Sequence, residues 1–449
     1  MNEPVGNTPA VETIETCDVL VIGGGPAGST AAALLARAGR DVLMLEKEAH
    51  PRFHVGESLL PRNLEIFERL GVQDQVHALG VLKPGAEFIS DEAGRSSAFS
   101  FADALGARFR HAYQVRRSEF DAMLFANARA LGARAMERTR VTDLAPMGPD
   151  GRLTVTATGA DGQKHRFSAR FVLDATGRDT FLASRMSLKT SDKRNNTAAV
   201  YAHFRGVAAR GPDREGYITV HLVENGWFWS IPLPDDVTSI GFVGDQSVFK
   251  ERPEEMKSEM KGDMKGGMEA LFKARIATSA SLTQRLADAE QLTPVMSAGN
   301  YSYRASTNAG EGYMMIGDAF AFVDPIFSSG VLLAMSSAEI GAAVASAWLD
   351  DPARAKVLAR RGHKEMIRQM DRFCWLIYRI NDPVMRYLFL NHSNKLRMRE
   401  GMTALLAGNV EFPPRAIVPV ITFKAVYYAM RVYRRFFGMP PALAPAAAE

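Results

Sequence analysis

The pattern of apolar and polar positions predicts an α/β protein that begins with a β-α-β unit. Residues 17–22 form a short apolar stretch rich in β-branched side chains, which is typical of a buried strand. Small and apolar residues dominate 26–38 and predict a helix packed closely on a sheet, ended by Gly39. Residues 41–45 predict a second strand, so the crossover between the two strands should be right-handed.

The later pattern predicts a second sheet inserted into the first domain. Between about 197 and 244, several short strands alternate with Gly-Pro, Asn-Gly and Asp-Asp turns, which favours antiparallel pairing. Further predicted elements are helices over 61–70, 118–131, 254–287 and 329–348, and strands over 153–158, 167–174 and 313–316. The chain is predicted to be mainly helical from about 350 onward.

Composition restricts the class of protein. Of the 449 residues, 47% are hydrophobic and 23% are charged, which is typical of a globular chain with a large core. Lys and Arg number 54 against 50 Asp and Glu, so net charge gives no indication of nucleic-acid binding. The two cysteines, Cys17 and Cys374, predict neither a disulfide framework nor a metal site. Residues 1–13 do not resemble a signal peptide, and we expect a cytoplasmic protein without a membrane-spanning helix.

A glycine-rich segment follows the first predicted strand. Gly23, Gly25 and Gly28 satisfy the Gly-x-Gly-x-x-Gly pattern at the start of a helix, where backbone N–H groups can approach a pyrophosphate. Glu46 ends the next strand, and its carboxylate can accept the hydroxyl groups of an adenosine ribose. The alternative, a glycine-rich turn without a ligand, is less consistent with this strand-to-helix context. The pattern predicts a dinucleotide site without specifying the dinucleotide.

Three further segments resemble the FAD-binding pattern of glutathione-reductase-like flavoproteins, with the p-hydroxybenzoate-hydroxylase branch as the better match. They are Asp174-Ala-Thr-Gly177, Gly317-Asp318-Ala319 and Val115-x-Arg117-x-x-Phe120-Asp121. The resemblance implies an FAD-binding Rossmann domain and a set of cofactor-binding residues: Gly23, Gly25, Ala27, Gly28, Glu46, Arg52, Arg117, Asp318, Gly330 and Val331. The sequence has no second glycine-rich fingerprint, so a separate NAD(P)H domain is not expected.

One predicted strand resembles the signature of flavin-dependent halogenases. Trp227-x-Trp229-x-Ile231-Pro232 places both indoles on one face of the strand, although such a strand also fits an ordinary core or a geranylgeranyl-reductase-like flavoprotein. The segment 53–61 resembles the flavin-lining Gly-Glu-Ser/Thr segment of the same family. Lys83 resembles the lysine that receives hypohalous acid. A buried lysine can act as a neutral amine or donate a hydrogen bond while protonated, and an exposed loop lysine is the alternative.

The segment 324–331 resembles the turn that binds chloride or bromide in these halogenases. Ser329 and Gly330 match the halide-binding positions, and the N-terminus of the following helix favours an anion. The alternative is ordinary flavin contact without a halide. Tryptophan halogenases carry a glutamate where this chain has Phe327, and they have a longer substrate lobe. These departures favour the branch that acts on phenols or pyrroles.

The resemblance implies an enzyme that halogenates an electron-rich aromatic ring. Reduced FAD from a separate flavin reductase and O₂ would form a C4a-hydroperoxide, halide would be oxidised to hypohalous acid, and Lys83 would guide it to the substrate. The substrate is free or tethered to an acyl carrier protein. The sequence identifies no general base: the candidates are His111, His203 and His221, each of which also fits a structural role. The alternatives are an aromatic monooxygenase, a geranylgeranyl-reductase-like enzyme and a non-catalytic flavin-binding partner protein.

The predicted division of the chain is discontinuous. The FAD-binding domain would cover 14–350 in the pieces 14–80, 110–190 and 295–350, and the inserted substrate-binding sheet would cover 81–109 and 191–294; the C-terminal helical region would span 351–449. Residues 413–439 contain five cations, interleaved aromatics and no acid. This segment predicts either contact with an anionic lipid surface or acidic carrier protein, or a docked helix with solvated charges.

Overall fold

The computed structural model describes residues 14–192, 197–249, 264–299, 302–391, 394–409 and 414–438. The first part of the predicted helix over 254–287 lies outside them. The strands of the described chain are β1 (Glu15–Ile22), β2 (Val42–Leu45), β3 (Gly80–Lys83), β4 (Gly85–Ser90), β5 (Arg95–Ser100), β6 (Ala112–Val115), β7 (Arg134–Met136), β8 (Arg140–Leu144), β9 (Leu153–Thr158), β10 (Lys164–Asp174), β11 (Lys189–Ser191), β12 (Thr197–Arg205), β13 (Ile218–Val223), β14 (Gly226–Leu233), β15 (Val237–Asp245), β16 (Glu290–Gln291), β17 (Met296–Gly299), β18 (Tyr303–Ala305), β19 (Ala309–Gly310), β20 (Tyr313–Met315) and β21 (Ala321–Phe322).

The described helices are α1 (Pro26–Arg37), α2 (Asn63–Leu70), α3 (Gln73–Leu79), α4 (Arg117–Ala130), α5 (Phe181–Arg185), α6 (Met264–Ile276), α7 (Ala280–Arg285), α8 (Gly330–Asp350), α9 (Pro352–Ile377), α10 (Pro383–Leu390), α11 (Met398–Leu406) and α12 (Pro414–Phe437).

The first sheet has a parallel core in the order β20-β10-β1-β2-β7, extended by β19 on one side and by the antiparallel strands β9 and β8. Ile22 pairs in register with both Asp174 and Leu45, and Asp174 pairs with Met315. The four strands therefore end at one edge, and the segments that follow them meet there. Ligands bind at this carboxyl edge in open α/β sheets.

The second sheet runs in the order β16-β12-β15-β14-β13-β4-β5, with β17 also paired to β12. Every described pair is antiparallel except β13 with β4. The structure confirms the predicted α/β fold with an inserted, mostly antiparallel sheet. Two boundaries differ from the predicted ones. Strand β17 pairs with β12, so the second sheet extends to Gly299 and not only to 294. Strand β3 pairs with β6 and not with the second sheet, which the chain enters only after Pro84 and not at 81.

Helix α8 crosses the first sheet and packs against α1 and α9. Close packing depends on small residues, since a Cβ at Gly341 would lie 2.8 Å from Ile316 and one at Gly362 would lie 2.4 Å from Ile340. Among the described helices, α8 alone is long and apolar enough to cross a membrane by length and composition, and half of its most apolar stretch is buried. Its position explains this composition, because a helix covered by a sheet and two helices needs apolar residues on most faces.

Candidate active site

A cavity of about 1030 Å³ lies at the carboxyl edge of the parallel strands and reaches the face of the second sheet. Its volume is at the upper end of small-molecule sites, which are roughly 300–1,000 Å³. Most of the predicted site residues line it: Gly23, Gly25, Ala27, Glu46, Arg52, Arg117, Trp227, Trp229, Ile231, Asp318, Gly330 and Val331. Gly28, Lys83, Pro232 and Ser329 are absent from this lining.

The glycine turn holds α1 close to the end of β1. Gly23 has φ of +103°, and a Cβ there would lie 2.5 Å from the Ala175 carbonyl oxygen. A Cβ at Gly28 would lie 1.8 Å from the Gly23 carbonyl oxygen. Gly25 differs from both, because its nearest neighbour would be Arg52 at 3.5 Å and the position faces the cavity. Two glycines are therefore required for packing, and Gly25 leaves room for a ligand at the helix N-terminus.

Glu46 is buried at the end of β2 and is fixed by backbone donors. The Gly24 N–H donates to Oε2 over 2.7 Å, and the Glu48 N–H donates to Oε1 over 2.9 Å. Arg52 approaches the same carboxylate at 3.4 Å and the Asp121 carboxylate at 3.5 Å. This arrangement places a fixed acceptor beside the glycine turn, where the ribose of a dinucleotide would lie.

Arg117 begins α4 and is held by a bidentate ion pair within that helix. Its Nε and Nη2 donate to the two Asp121 oxygens over 2.8 and 2.9 Å, and its Nη1 donates to the Val55 carbonyl over 2.9 Å. The guanidinium is nearly buried and lies in the cavity wall. The bidentate geometry fixes the direction in which this cation faces the cavity.

The cavity is closed at the sheet edge by Asp318 and the first turn of α8. Burial raises the pKa of Asp318 to about 6, although Arg178 and Arg117 oppose the shift. Gly330 and Val331 line the cavity, and the N–H groups of a first helical turn have no acceptor within their helix. Ser329 precedes them with a fully buried side chain whose Oγ has no hydrogen-bond partner in the described chain. This end of the cavity presents hydrogen-bond donors that suit an anion.

The predicted signature strand is β14, and its indoles form part of an aromatic wall. Trp227 and Trp229 are each 4% exposed, with ring centroids 6.0 Å apart. The Trp229 ring lies over Gly241 of β15, where a Cβ would come within 2.2 Å of the indole. Tyr201 extends the wall at 5.8 Å from Trp229, and Phe53 lies 6.2 Å from Tyr201. The rings are tilted to one another, by 51° between the two indoles and 39° between Tyr201 and Trp229, so the wall offers both ring faces and ring edges to an aromatic ligand.

Lys83 ends β3 behind the cavity wall. It is 1% exposed, its Nζ donates to the Leu59 carbonyl over 2.8 Å, and the Phe101 ring centroid is 5.3 Å away. Burial lowers the pKa of Lys83 to about 7. Ser58, the neighbour of Leu59, lines the cavity and has a buried Oγ without a hydrogen-bond partner in the described residues. The carbonyl that accepts from Lys83 therefore belongs to the residue that directly follows a cavity-lining residue.

The structure brings Glu57 and His203 together, a pairing that the sequence did not indicate. Glu57 lines the cavity and is 2% exposed, and His203 Nε2 lies 3.0 Å from its Oε1. His221 lies elsewhere, 3.0 Å from Ser281, and burial lowers its pKa to about 3. His111 packs edge-on against Tyr113, with 5.4 Å between the ring centroids. Of the three candidate histidines, His203 alone lies within hydrogen-bonding distance of a carboxylate of the cavity wall in the described part of the chain.

Sequence reasoning also missed Tyr201 and Arg178, which line the cavity. Arg178 donates to the Gly299 carbonyl and lies over the Phe322 ring at 5.6 Å. The available signal was its place directly after Asp174-Ala-Thr-Gly177, at a strand end that the parallel sheet brings to the cavity.

The site fits FAD. The glycine turn leaves open space at Gly25 for a pyrophosphate, and Glu46 supplies a fixed acceptor for ribose. The aromatic wall and the first turn of α8 enclose the remaining space. The expected FAD-binding pattern thus corresponds to one continuous cavity.

Comparisons with known proteins agree with this arrangement. Residues 16–339 match the family model of the FAD binding domain. A 1H-pyrrole-2-carbonyl-[peptidyl-carrier protein] chlorinase of Pseudomonas fluorescens is 30% identical over 88% of this chain and 89% of its own. A solved flavoprotein/dehydrogenase of Cytophaga hutchinsonii is 28% identical, with a TM-score of 0.81 over 93% of this chain and 99% of that one. A solved flavin-dependent brominase is 26% identical, with a TM-score of 0.76 over 92% and 100% of the two chains.

The protein is therefore an FAD-dependent oxidoreductase with a glutathione-reductase-like cofactor domain. Within that class, the chain belongs to the flavin-dependent halogenases. The expectations of an FAD-binding fold and a halogenase family are confirmed.

The glycine turn yields a paired prediction. Gly28→Ala should lower the free energy of unfolding by at least about 2 kcal/mol, because its Cβ would overlap the Gly23 carbonyl. Gly25→Ala should change that energy by less than about 0.5 kcal/mol, yet weaken FAD binding at least about tenfold, because its Cβ enters open cavity space. Denaturant unfolding and fluorescence titration with FAD measure the two effects. Equal loss of stability in both variants would contradict this assignment.

The buried amine predicts a pH-dependent stability. The folded-state pKa of Lys83 lies near 7, below the ordinary value of 10.5, so the unfolded chain binds more protons between these values. The wild-type free energy of unfolding should therefore rise relative to that of Lys83→Met by about 1.4 kcal/mol per pH unit above pH 7. Denaturant unfolding at several pH values tests this, and exposed Lys364→Met is the matched control. A wild-type/Lys83→Met difference that does not vary with pH would show that the amine is hydrated.

Proposed function

We propose that this protein halogenates an electron-rich aromatic ring, with Lys83 as the residue that directs hypohalous acid to the carbon. The observation that carries the proposal is the position of Lys83, buried directly behind the wall of the FAD cavity at Ser58 and Leu59. Burying a lysine is energetically unfavourable, and the transfer of hypohalous acid from the cavity to Lys83 would account for its buried position.

When bound, reduced FAD supplies with O₂ the two-electron oxidation that converts halide into hypohalous acid. The glycine turn, Glu46 and Arg117 would hold the cofactor, and the first turn of α8 at Ser329 and Gly330 would hold the halide. Since Asp318 lies at the same end of the cavity, Arg117 and Arg178 offset its negative charge. These cations keep the site favourable for an anion.

The unpartnered Ser58 hydroxyl supports a route for hypohalous acid from the cavity to Lys83. Ser58 lines the cavity, its Oγ is buried, and the next residue, Leu59, carries the carbonyl that accepts from Nζ. At Lys83 the ammonium donates a hydrogen bond to the oxygen of hypohalous acid. The ring carbon then bonds to the halogen while the oxygen–halogen bond breaks and hydroxide leaves. The hydroxide takes up the proton displaced from the ring and becomes water. The Trp227 and Trp229 wall keeps the substrate apart from the cofactor.

The substrate is a phenol or pyrrole in this proposal. Phe327 occupies the position of the tryptophan-halogenase glutamate and is only 4% exposed, with its ring centroid 6.1 Å from that of Phe389. An apolar residue there offers no carboxylate to assist a weakly activated ring. A phenol or pyrrole needs less assistance, because its own heteroatom stabilises the positive charge that develops on the ring.

We further propose that the reductant is supplied by a separate flavin reductase in the cytoplasm. The absence of a second dinucleotide fingerprint in the sequence supports this supply. Both cysteines are buried and neither forms a disulfide within the described residues, which is consistent with a reducing compartment.

A groove beside Lys83 supports a substrate tethered to a carrier protein, as in the pyrrole chlorinase named above. This groove, of about 440 Å³, is lined by Ser96, Ser97, Ala98, Ser100, Arg214, Tyr217 and Arg399. Arg399 is about one-third exposed, and its buried Nε has no hydrogen-bond partner among the described residues. Arg214 stands 3.6 Å from Glu87 and over the Tyr217 ring. Two arginines and several hydroxyl groups suit the phosphodiester of a phosphopantetheine arm.

The groove ends close to the lysine. Ser100 of the groove pairs with Gly85, and Gly85 follows Lys83 by two residues. The Phe101 N–H donates to the Pro84 carbonyl over 2.8 Å. The Phe101 ring then lies against the amine. We therefore propose that an arm held in the groove delivers its ring toward Lys83.

The central experiment uses mass spectrometry of phenols and pyrroles, free and carrier-bound, after incubation with reduced FAD, O₂ and bromide. Wild type should give brominated products, and Lys83→Ala should lower their yield at least about a hundredfold while FAD oxidation continues. Lys364→Ala, an exposed lysine on α9, is the control. Bromination that survives Lys83→Ala would show leaked hypobromite and overturn the role of the lysine. Hydroxylated products without bromination would identify a monooxygenase.

The groove has its own test. Arg214→Ala/Arg399→Ala should raise KM for carrier-bound rings about tenfold or more and leave turnover of free rings unchanged, because only the arm contacts both cations. Arg360→Ala/Arg361→Ala, two exposed arginines on α9, is the matched control. An equal effect on free and tethered substrates would contradict the proposed path of the arm.

A further inference from the structure

Helix α12 carries an exposed apolar stripe that the halogenase site does not use. Its inward face docks on the body through buried Ala416, Val420, Phe423 and Tyr427. The outward face holds most of the large exposed hydrophobic residues of the described chain: Ile417, Val418, Ile421, Tyr428, Val432, Tyr433, Phe436 and Phe437. Phe436 and Phe437 are 72% and 73% exposed, so their rings lie largely in solvent. A patch of this kind marks an interaction surface.

The helix end extends beyond the body of the protein. Every residue from 431 to 438 is exposed, whereas the preceding turns are anchored at Phe423 and Tyr427. Tyr427 is fixed against Trp375, with ring centroids 5.6 Å apart. The docked half fixes the direction of the helix, and the projecting turns are available to a partner.

The charges of the helix are all of one sign. The helix contains no Asp or Glu, and its five basic residues are Arg415, Lys424, Arg431, Arg434 and Arg435. Arg431 pairs with Asp382 at 3.3 Å, and Lys424 lies 4.7 Å from the Trp375 ring centroid. Arg434 and Arg435 flank the exposed aromatic rings at the projecting end. A second copy of this surface would bring cations against cations, so self-association along the stripe is disfavoured.

We propose that α12 binds the surface of an anionic lipid bilayer, lying in the interface with its apolar stripe among the acyl chains and its arginines at the headgroups. A helix with an apolar stripe, aromatic residues and flanking cations matches the chemistry of such interfaces. Each basic residue near an anionic surface contributes about 1 kcal/mol, and the exposed rings add apolar burial. This site is independent of the FAD cavity and of the proposed reaction.

The test is co-sedimentation of the full-length, FAD-loaded protein with vesicles of phosphatidylcholine alone or mixed with phosphatidylglycerol. We expect binding to the mixed vesicles that weakens at high salt, and little binding to phosphatidylcholine. Arg434→Glu/Arg435→Glu and Val432→Glu should each lower binding at least about tenfold, because they replace attraction or apolar burial by repulsion. All substituted residues are exposed, so turnover of a free ring should stay unchanged.

Matched controls lie on α9. Arg360→Glu/Arg361→Glu makes the same change of charge at another exposed arginine pair, and Val357→Glu makes the same substitution at an exposed valine; both should bind vesicles as wild type does. Absence of binding to the anionic vesicles, or equal binding by the α12 variants, would overturn the proposal. Unchanged vesicle binding with loss of turnover only on carrier-bound rings would assign α12 to the carrier protein instead.

Discussion

The contact between Gly28 and the Gly23 carbonyl sets the position of α1 on the parallel sheet, and the cofactor site depends on that position. A single methyl group at Gly28 would lie 1.8 Å from the oxygen, so no residue with a side chain allows this approach. Because α1 lies so close, its N-terminus points across the ends of β1, β2 and β10. The register of the parallel strands brings Glu46, the Asp174 turn and Asp318 to the same edge. The close approach of α1 then places its N-terminus beside them in one cavity.

The cavity joins two environments that favour different chemistry. Its sheet edge presents cations and helix N–H groups, whereas the β14 side presents closely packed aromatic rings. Lys83 lies beyond both, in surroundings that disfavour its charge and lower its pKa to about 7. Burying an amine without a carboxylate partner is costly, and the Leu59 carbonyl and the Phe101 ring compensate only part of that cost. Such an amine can change its protonation state near neutral pH, which suits a residue that handles a reactive electrophile.

The C-terminal helices differ in how much of their surface is buried. Most of the C-terminal region is folded tightly onto the cofactor domain, as the packing of α9 on α8 through Gly362 shows. Helix α12 keeps only one face in that packing and leaves its aromatic and cationic end in solvent. The FAD cavity and the Arg214/Arg399 groove have no lining residue in common. Helix α12 packs on α11, which carries Arg399 of the groove, so the proposed lipid-binding helix adjoins the proposed carrier-arm site.

The sequence by itself determined the fold class, the cofactor and the family, because these depend on local patterns. A glycine turn between a strand and a helix, an acid at the next strand end and the Trp-x-Trp strand each lie within a few residues. The tertiary structure decided what depends on distant segments meeting. Glu57 pairs with His203 only because the 53–61 segment crosses the face of β12, and β3 leaves the second sheet to pair with β6. Likewise, the burial of Lys83 depends on Leu59 and Phe101, which its own neighbours in sequence do not specify.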